Sequence, residues 1–217
     1  MIYLLSPLKK DGTIHLPMIK FSLTTETLSL SGCDILMFTS KQAVKSANEL
    51  NPLWKDIPCL AIGKATAKMI ESLGGEVIHQ PKEFYGKSLS ADIIDKFGDK
   101  KILYIRPKEV SFDSKTFLSN HNIDIKEQII YKTSCISYTL EDTPPPNSII
   151  IFTSPSTIKC FLTNFNWDSS YTAVVIGKAT KIHLPFNAKV AVADTPLLDS
   201  CIEKAIEIKL SIFGESI

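Results

Sequence analysis

A segment that occurs twice limits how this chain of 217 residues can fold. In each copy a short apolar run ends in Phe-Thr-Ser, and a later apolar run ends in Ile-Gly-Lys-Ala-Thr. Thr39 in the first copy corresponds to Thr153 in the second, and Gly63 corresponds to Gly177. Both pairs lie 114 positions apart (153 − 39 and 177 − 63), so the segment is an internal repeat and predicts two related lobes.

Each copy alternates short apolar runs with helical patterns. Such runs are typical of strands in parallel sheets that are covered on both faces, so we expect an α/β fold. Thr-Ser at a strand end can cap the following helix, and the glycine allows a tight turn before helices that should begin near Thr66 and Thr180. Helix N-termini and the carboxyl ends of parallel strands both favour anions, so each lobe is predicted to present two anion-binding loops.

The segments outside the repeat predict how the two lobes share the chain. Residues 102–131 show a strand–helix–strand pattern, and Ile105-Arg106-Pro107 corresponds to Leu5-Ser6-Pro7 near the start. If residues 102–131 complete the lobe of the first copy, the second copy must recruit residues 1–23. Two chain crossings between lobes then predict a hinge and a cleft. The predicted domains are 1–23 plus 138–217, which is discontinuous, and 28–130, with linkers at about 20–29 and 131–138.

Composition limits the class of protein. The formal net charge is +1 and no basic block is present, which argues against a nucleic-acid-binding surface. The five cysteines form no C-x-x-C motif, and neither a secretion signal nor an apolar run of the ~20 residues needed for a membrane span is found, so we expect a reduced, cytoplasmic protein. The four histidines are isolated, which gives no support to a metal site.

Two motifs of other enzyme classes are incomplete or missing. Gly63-Lys64-Ala65-Thr66 is similar to the end of a P-loop, but the glycine that a P-loop requires five residues earlier is Pro58, and in the second copy that position is Thr172. The G-x-S-x-G motif of α/β-hydrolases does not occur. A P-loop nucleotide enzyme and an α/β-hydrolase are therefore not supported.

In their order and duplication, these residues resemble the uroporphyrinogen-III synthase family. The chain departs from the family at two positions, where Ser6-Pro7 stands for an Arg-Pro frequent in bacterial members and Lys181 follows the second G-x-x-T in place of alanine. The departures concern single ligand contacts rather than the family. The resemblance covers most of the chain and rests on Phe38-Thr39-Ser40 with Ala43-Val44, Ile62-Gly63-Lys64-Ala65-Thr66-Ala67, Ile130-Tyr131, Phe152-Thr153-Ser154-Pro155-Ser156 and Ile176-Gly177-Lys178-Ala179-Thr180.

The resemblance implies two flavodoxin-like lobes with parallel sheets, the first discontinuous, joined by a two-stranded linker. It also implies an enzyme that converts the linear tetrapyrrole hydroxymethylbilane into uroporphyrinogen III, with loss of water and inversion of the terminal pyrrole ring. The family uses no metal or organic cofactor. The expected partners are the small-molecule substrate and, in transient contact, the porphobilinogen deaminase that supplies it, with no nucleic acid or membrane partner and a monomeric state.

Tyr131 matches the family's tyrosine at the junction of the lobes. It is the best candidate for the acid, or the orienting donor, that delivers a proton to the departing hydroxyl. The competing interpretation is a strand tyrosine packed between lobes, with its hydroxyl bonded locally. Both interpretations remain open from the sequence.

Hydroxyls, lysines and helix N-termini of the two copies are the candidate ligands for the substrate's carboxylates. The serines and threonines can equally serve as helix caps, exposed lysines are usually only solvated, and Arg106, the only arginine in the chain, can equally be an ordinary surface residue. The predicted substrate-binding residues are Thr39, Ser40, Lys41, Gly63, Lys64, Ala65, Thr66, Arg106, Thr153, Ser154, Ser156, Gly177, Lys178, Ala179 and Thr180.

The main alternative is a non-catalytic, two-lobed cytoplasmic protein that binds a carboxylate-rich small molecule. Such a protein would use the same hinge and the same anion-binding loops. Turnover of hydroxymethylbilane distinguishes the two functions.

Overall fold

A computed structural model describes residues 1–213 of the chain, and the side chains of residues 1–211. The chain forms two compact units. Unit 1 comprises residues 1–20 and 134–217, and unit 2 comprises residues 21–133. The strands are β1 (Ile2–Leu4), β2 (Ile14–His15), β3 (Ile19–Leu23), β4 (Ile35–Phe38), β5 (Cys59–Ala61), β6 (Val77–His79), β7 (Ile102–Pro107), β8 (Ile125–Cys135), β9 (Ile149–Phe152), β10 (Thr172–Val175) and β11 (Lys189–Val192). The α-helices are α1 (Lys41–Leu50), α2 (Lys64–Ser72), α3 (Gly86–Lys96), α4 (Ser114–Ser119), α5 (Pro155–Asn164), α6 (Lys178–Lys181) and α7 (Leu198–Phe213).

Unit 1 contains a parallel sheet in the order β11-β10-β9-β1-β2. Its central strand, β9, is buried along its whole length, because helices and loops cover both faces of the sheet. One face packs with α5, around Phe152 and Phe161. The opposite face packs with α7, around Ile151 and Cys201.

Unit 2 contains a sheet in the order β3-β8-β7-β4-β5-β6, and the five strands from β8 to β6 are parallel. The central strand β4 is again fully buried. One face of the sheet packs around Phe38 and Trp54, and the other around Leu60 and Ile93. The predicted α/β fold class with parallel sheets is therefore confirmed.

The repeat is visible in the sheets as equivalent register. Ile35 lies opposite Ile102 across β4 and β7, and Ile149 lies opposite Ile2 across β9 and β1. The first helix of each copy begins as the sequence predicts, with a serine N-cap at Ser40 for α1 and at Ser154 for α5. A hydroxyl that accepts a first-turn amide explains why both strands end in Thr-Ser.

The second helix of each copy differs from the prediction. Helices α2 and α6 begin at Lys64 and Lys178, so Thr66 and Thr180 lie inside the first turn and are not caps. Helix α6 is only four residues long, because Pro185 follows soon after and a helix cannot continue into a proline. The second helix is therefore much shorter in the second copy, although in both copies it begins at the equivalent lysine after an extended glycine, and the anion-binding role of these helix ends stays a prediction.

The prediction of a reduced chain is also wrong. Cys135 at the end of β8 and Cys160 in α5 form a disulfide, with their Cα atoms 5.2 Å apart. They are 25 positions apart in the sequence and belong to no motif, so only the packing of α5 beside the end of β8 brings them together.

Among the helices of residues 1–213, none is both long and apolar enough to cross a bilayer.

Candidate functional site

A cavity of about 160 Å³ lies at the carboxyl ends of the strands in unit 2. Thr39 and Ser40 line it directly after β4, Ile62 directly after β5, Pro107 at the end of β7, and Gly86 at the start of α3. Strands β4 and β7 are neighbours, but β4 leads to β5 on one side while β7 leads to β8 on the other. The cavity therefore lies at a topological switch point, where open α/β sheets bind ligands.

A larger surface hollow of about 610 Å³ in the same unit is lined by residues 23–26, Glu49 and Leu50. It contains the carboxylates of Glu26 and Glu49 and none of the residues predicted to bind substrate. Its charge does not suit an anion, and we therefore place the candidate site at the smaller cavity.

Two tyrosine hydroxyls lie behind the Thr-Ser pair of the cavity. The hydroxyls of Ser40 and Tyr131 are 2.8 Å apart, and those of Thr39 and Tyr104 are 3.0 Å apart. Ser40 Oγ also accepts the backbone N–H of Ala43 at 3.0 Å, which starts α1. Each tyrosine is thus bonded to a residue that lines the cavity.

Both tyrosines are buried, with 3% of Tyr131 and 2% of Tyr104 exposed. Burial raises the pKa of Tyr131 above its ordinary value, partly offset by the bond with Ser40. Burial likewise raises the pKa of Tyr104, partly offset by the bond with Thr39. Both side chains are consequently neutral phenols at pH 7, which can donate a proton or a hydrogen bond.

The local bonding of Tyr131 also fits the packing interpretation. Its ring meets that of Phe21 edge to face, with centroids 5.9 Å apart, and belongs to the core of unit 2. The Tyr131 hydroxyl does not itself line the cavity, and its partner Ser40, which is half-buried, does.

The first Gly-Lys-Ala-Thr segment presents mainly its backbone. Lys64 and Ala65 are exposed, whereas Thr66 is buried and donates its backbone N–H to Gly63 O at 3.0 Å. Gly63 has φ of −178°, an extended conformation open to any residue, so the expected tight turn does not explain it. A Cβ there would lie 3.1 Å from the ring of Phe84, a tight contact that a glycine avoids.

The second copy, in unit 1, has the same strand ends without the tyrosines. Ser154 accepts the N–H of Thr157 at 3.3 Å, Thr153 is half-buried, and Ser156 is exposed in the first turn of α5. At the second loop Lys178 and Ala179 are exposed, Gly177 is half-buried and Thr180 is buried.

The sheet register shows why the tyrosine pairs are specific to unit 2. In unit 2, Tyr104 of β7 lies opposite Met37 of β4. The equivalent pair in unit 1 is Leu4 of β1 opposite Ile151 of β9. Leu4 has no hydroxyl, so the Tyr104–Thr39 bond has no counterpart at Thr153. The two repeats are therefore chemically different at equivalent positions.

Arg106 lies beside the cavity rather than in its lining. Its guanidinium donates to both carboxylate oxygens of Glu127, from Nε at 2.8 Å and Nη2 at 3.1 Å. Nη1 donates to the carbonyls of Pro107 and Lys108 at 2.9 and 3.1 Å. Arg106 thus fixes the backbone that leaves β7 towards the cavity, and most of its donors are already used.

Four of the polar residues that line the cavity were not predicted from the sequence. Tyr104 had a recognisable signal, because it is the one residue with a polar tip in the buried run 102–105. Ser111 and Ser114, on the segment after β7, had none. Neither had Glu109, an exposed carboxylate on the same segment.

The candidate metal ligands do not assemble. Within residues 1–213, His, Cys, Asp and Glu side chains form no cluster of three or more that could hold a metal ion.

Comparison with known proteins gives consistent similarities. The family model described as uroporphyrinogen-III synthase HemD matches residues 12–203. A porphyrin biosynthesis protein HemD from Ruminiclostridium josui is 28% identical over 189 residues, a match that covers 80% of this chain. The chain spans only 38% of the length of that curated relative.

Solved structures show the same fold. Uroporphyrinogen-III synthetase from Helicobacter pylori superposes with a TM-score of 0.79 at 28% identity, covering 95% of this chain and 98% of the other. A mutant uroporphyrinogen III synthase from Thermus thermophilus superposes with a TM-score of 0.61 over 95% of this chain and 98% of the other. At 12% identity, the second likeness supports the fold alone.

Proposed function

The chain belongs to the uroporphyrinogen-III synthase family, and from that premise we propose that it is a hydro-lyase that cyclises hydroxymethylbilane to uroporphyrinogen III. In the proposed reaction a carbon–oxygen bond breaks, the hydroxyl takes up a proton and leaves as water, and a carbon–carbon bond closes the macrocycle. A proton is released from the pyrrole carbon at which the ring closes, and the terminal pyrrole is inverted. The observation that carries the proposal is the family match over residues 12–203.

The proposed role of Tyr131 is to supply the proton, or to orient the group that supplies it, through Ser40. The buried phenol is neutral and lies 2.8 Å from Ser40 Oγ. If Tyr131 donates to Ser40, the proton of Ser40 is free to point into the cavity towards the departing hydroxyl. The pair would form a two-step relay, with Ser40 as the residue that touches substrate and Tyr131 behind it.

The proposed substrate contacts hold the carboxylates through backbone amides and a few exposed cations. Lys41 and Lys64 of unit 2 and Lys178 of unit 1 are exposed and carry charges that attract a polyanion. The other predicted ligands are kept as proposals: Thr39, Gly63, Ala65, Thr66, Arg106, Thr153, Ser154, Ser156, Gly177, Ala179 and Thr180. By selecting one folded form of the linear substrate, these contacts would favour the inverting path.

Further features follow from the family and remain proposals. We propose that the reaction uses no metal or organic cofactor, that the protein is a cytoplasmic monomer, and that it meets porphobilinogen deaminase transiently. The proposed domains keep the limits 1–23 plus 138–217, and 28–130. Gel filtration with light scattering tests the monomer, at a protein concentration in the micromolar range.

The deciding experiment is a coupled assay. Porphobilinogen deaminase supplies fresh hydroxymethylbilane, and the products are oxidised and separated into isomers I and III. Formation of isomer III that depends on this protein supports the synthase. Isomer I alone, with folded protein, would contradict the synthase and leave the carboxylate-binding protein as the function.

A matched pair of variants tests the relay. Tyr131→Phe should lower the rate of isomer III formation by about 100-fold, the lower end of the range for general acid catalysis. Tyr171→Phe is the control, because Tyr171 is also buried and donates its hydroxyl to the Pro144 carbonyl in unit 1. Equal rates for the two variants would show that Tyr131 serves only packing.

A further inference from the structure

We propose that the Cys135–Cys160 disulfide is a reversible redox site, opened by a protein dithiol of the thioredoxin type, and that its state sets how firmly one chain crossing is held to unit 1. The crossing is residues 134–138, where strand β8 leaves unit 2 and the second segment of unit 1 begins. Cys135 is the last residue of β8, and Cys160 lies in α5. The disulfide is therefore the covalent attachment of this crossing to helix α5.

Hydrogen bonds attach the same crossing to unit 1 independently of the sulfurs. Asn164, the last residue of α5, accepts the Tyr138 N–H at 2.9 Å and donates to the Ile136 carbonyl at 2.9 Å. The Ile136 N–H donates to the Met18 carbonyl at 2.9 Å, and the Tyr138 hydroxyl donates to the Pro17 carbonyl at 2.8 Å. Because these bonds need no disulfide, reduction loosens the crossing without releasing it.

The core of unit 1 accommodates both oxidation states. A free cysteine is a small apolar side chain, so a reduced Cys160 remains in the core that contains Phe152, Phe161 and Tyr171. The Phe161 ring meets those of Phe152 and Tyr171 edge to face, with centroids 5.6 and 6.3 Å apart. These aromatic contacts include neither sulfur, so the core keeps them after reduction.

The two sulfurs differ in accessibility. Cys160 is buried, with 4% of the residue exposed, whereas Cys135 is half-buried at the end of its strand. Thiol–disulfide exchange depends on access of the attacking thiolate to a sulfur. The attack therefore falls on Cys135, and Cys160 is the leaving group.

The reaction balances with a dithiol as the reductant. Its first thiolate bonds to the Cys135 sulfur, the bond between Cys135 and Cys160 breaks, and Cys160 leaves as a thiolate that takes up a proton. The second thiol of the reductant loses its proton and attacks the mixed disulfide, and Cys135 leaves as a thiolate and is protonated. Two electrons thus pass from the dithiol, which becomes a disulfide, and the reverse sequence closes the Cys135–Cys160 bond again.

The other three cysteines are poor competitors for this exchange. Burial is the main cause that raises the pKa of the Cys59 thiol to about 12 and that of the Cys201 thiol to about 11, and burial also raises the pKa of Cys33. Thiols, unlike thiolates, are weak nucleophiles, so the exchange is concentrated at Cys135 and Cys160. In the cytoplasm, which is the proposed location, disulfides are usually of this reversible kind.

The disulfide closes a ring that contains a strand end of the repeat. Residues 136–159 lie between the two cysteines and include β9, Thr153 and the serine cap at Ser154. Opening the ring removes a constraint on this stretch, so the crossing and the start of α5 should fluctuate more. Since Thr153 and Ser154 are proposed substrate ligands, an effect of the redox state on activity rests on the proposed function, whereas the exchange chemistry does not.

The first test treats the native full chain with thioredoxin, its reductase and NADPH, and then alkylates free thiols and maps them by mass. Alkylation should appear at Cys135 and Cys160 together, and it should be lost when oxidised glutathione is added before alkylation. A disulfide that stays closed in the native chain would be purely structural and would reject the redox site. Failure of the pair to close again would reject its reversibility.

Hydrogen exchange tests the attachment of the crossing. In Cys135→Ala, under conditions where the protein stays folded, the amides of Ile136 and Tyr138 should exchange about tenfold faster than in the oxidised wild type. Cys201→Ala is the matched control, because it removes a buried free thiol of the same unit, and these amides should exchange as in the wild type. Equal rates in Cys135→Ala and the wild type would show that the disulfide does not hold the crossing. If Cys135→Ala does not fold, the same comparison uses wild-type protein reduced by thioredoxin.

The isomer assay separates this proposal from the proposed function. It is run without thiol reagents, and Cys135→Ala represents the open ring. The variant should raise KM for hydroxymethylbilane by about threefold, because a less ordered loop binds more weakly, and equal KM values would reject the link between the disulfide and this loop. Reversible exchange without isomer III would uphold the redox site and reject the synthase. Isomer III formation by a protein whose disulfide resists thioredoxin would uphold the synthase and reject the redox site.

Discussion

The bond between Ser40 and Tyr131 predicts a strong energetic coupling between the two residues. Replacing Ser40 by alanine removes the N-cap of α1, which costs about 1 kcal/mol. It also leaves the buried Tyr131 hydroxyl without its partner, which adds about 1.5 kcal/mol. The expected loss for Ser40→Ala is therefore about 2.5 kcal/mol of unfolding free energy.

The second single variant should cost less. Tyr131→Phe keeps the buried ring, and Ser40 Oγ still accepts the Ala43 N–H, so only one hydrogen bond of about 1 kcal/mol is lost. In the double variant no buried hydroxyl is left unpaired, and the loss should be about 1.5 kcal/mol. Additive effects would give about 3.5 kcal/mol, so the predicted coupling is about 2 kcal/mol.

Urea denaturation of the four proteins, with m-values checked for constancy, measures this cycle. Additivity to within about 0.5 kcal/mol would refute the reasoning, because residues that share a bond should not act independently. The pair Thr39→Val and Tyr104→Phe is the comparison. Thr39 is not the N-cap, so its single variant should cost about 1 kcal/mol less than Ser40→Ala. The isomer assay on the same proteins shows whether catalytic losses are coupled as well.

Three further predictions concern stability. Reducing the Cys135–Cys160 disulfide should lower the unfolding free energy by about 3.5 kcal/mol, the loop-closure estimate for 25 residues. Denatured but unreduced protein should react with a thiol reagent at three of its five cysteines, and reaction at all five would contradict the disulfide. Burial and Glu76 raise the pKa of the Cys59 thiol from 9.0 to about 12, so its contribution to the unfolding free energy is complete below pH 9 and is lost as pH rises towards 12. Cys59→Ala should therefore make the denaturation midpoint depend less on pH across that range, and an unchanged pH dependence would contradict the prediction. Gly75→Ala would place a Cβ 2.4 Å from the buried Trp54 ring and should lower the unfolding free energy by about 3 kcal/mol. In thermal melts the added Trp54→Phe substitution should recover most of this loss, and a loss that Trp54→Phe does not change would show that the clash lies elsewhere.

The sequence predicts elements that depend on neighbouring residues. The buried strand Ile35–Phe38, the serine cap at Ser40 and the helix Lys41–Leu50 follow from apolar runs, a capping hydroxyl and helical spacing, and the structure has all three. The copy at Ile149–Phe152 strengthens each inference, because one interpretation must fit both.

The remaining features depend on contacts between distant parts of the chain. The Tyr104 hydroxyl reaches Thr39 across 65 positions, and only the register of β7 against β4 sets that distance. The unpaired Ser114 and the short α6 likewise result from packing and from a nearby proline, not from any pattern in the repeat. Local spacing therefore predicts the scaffold better than the cavity.

The strand order of the two sheets shows how the two copies of the repeat are divided between them. Apart from the edge strand β3, the strands follow in sequence as β1-β2, then β4-β5-β6, then β7-β8, then β9-β10-β11, which is one five-strand pattern that occurs twice. Yet unit 2 combines the last three strands of the first pattern with the first two of the second, and unit 1 combines the two ends. Apart from β3, the five-strand sets of the two units are therefore circular permutations of each other along the chain, so neither copy of the repeat supplies a whole sheet by itself.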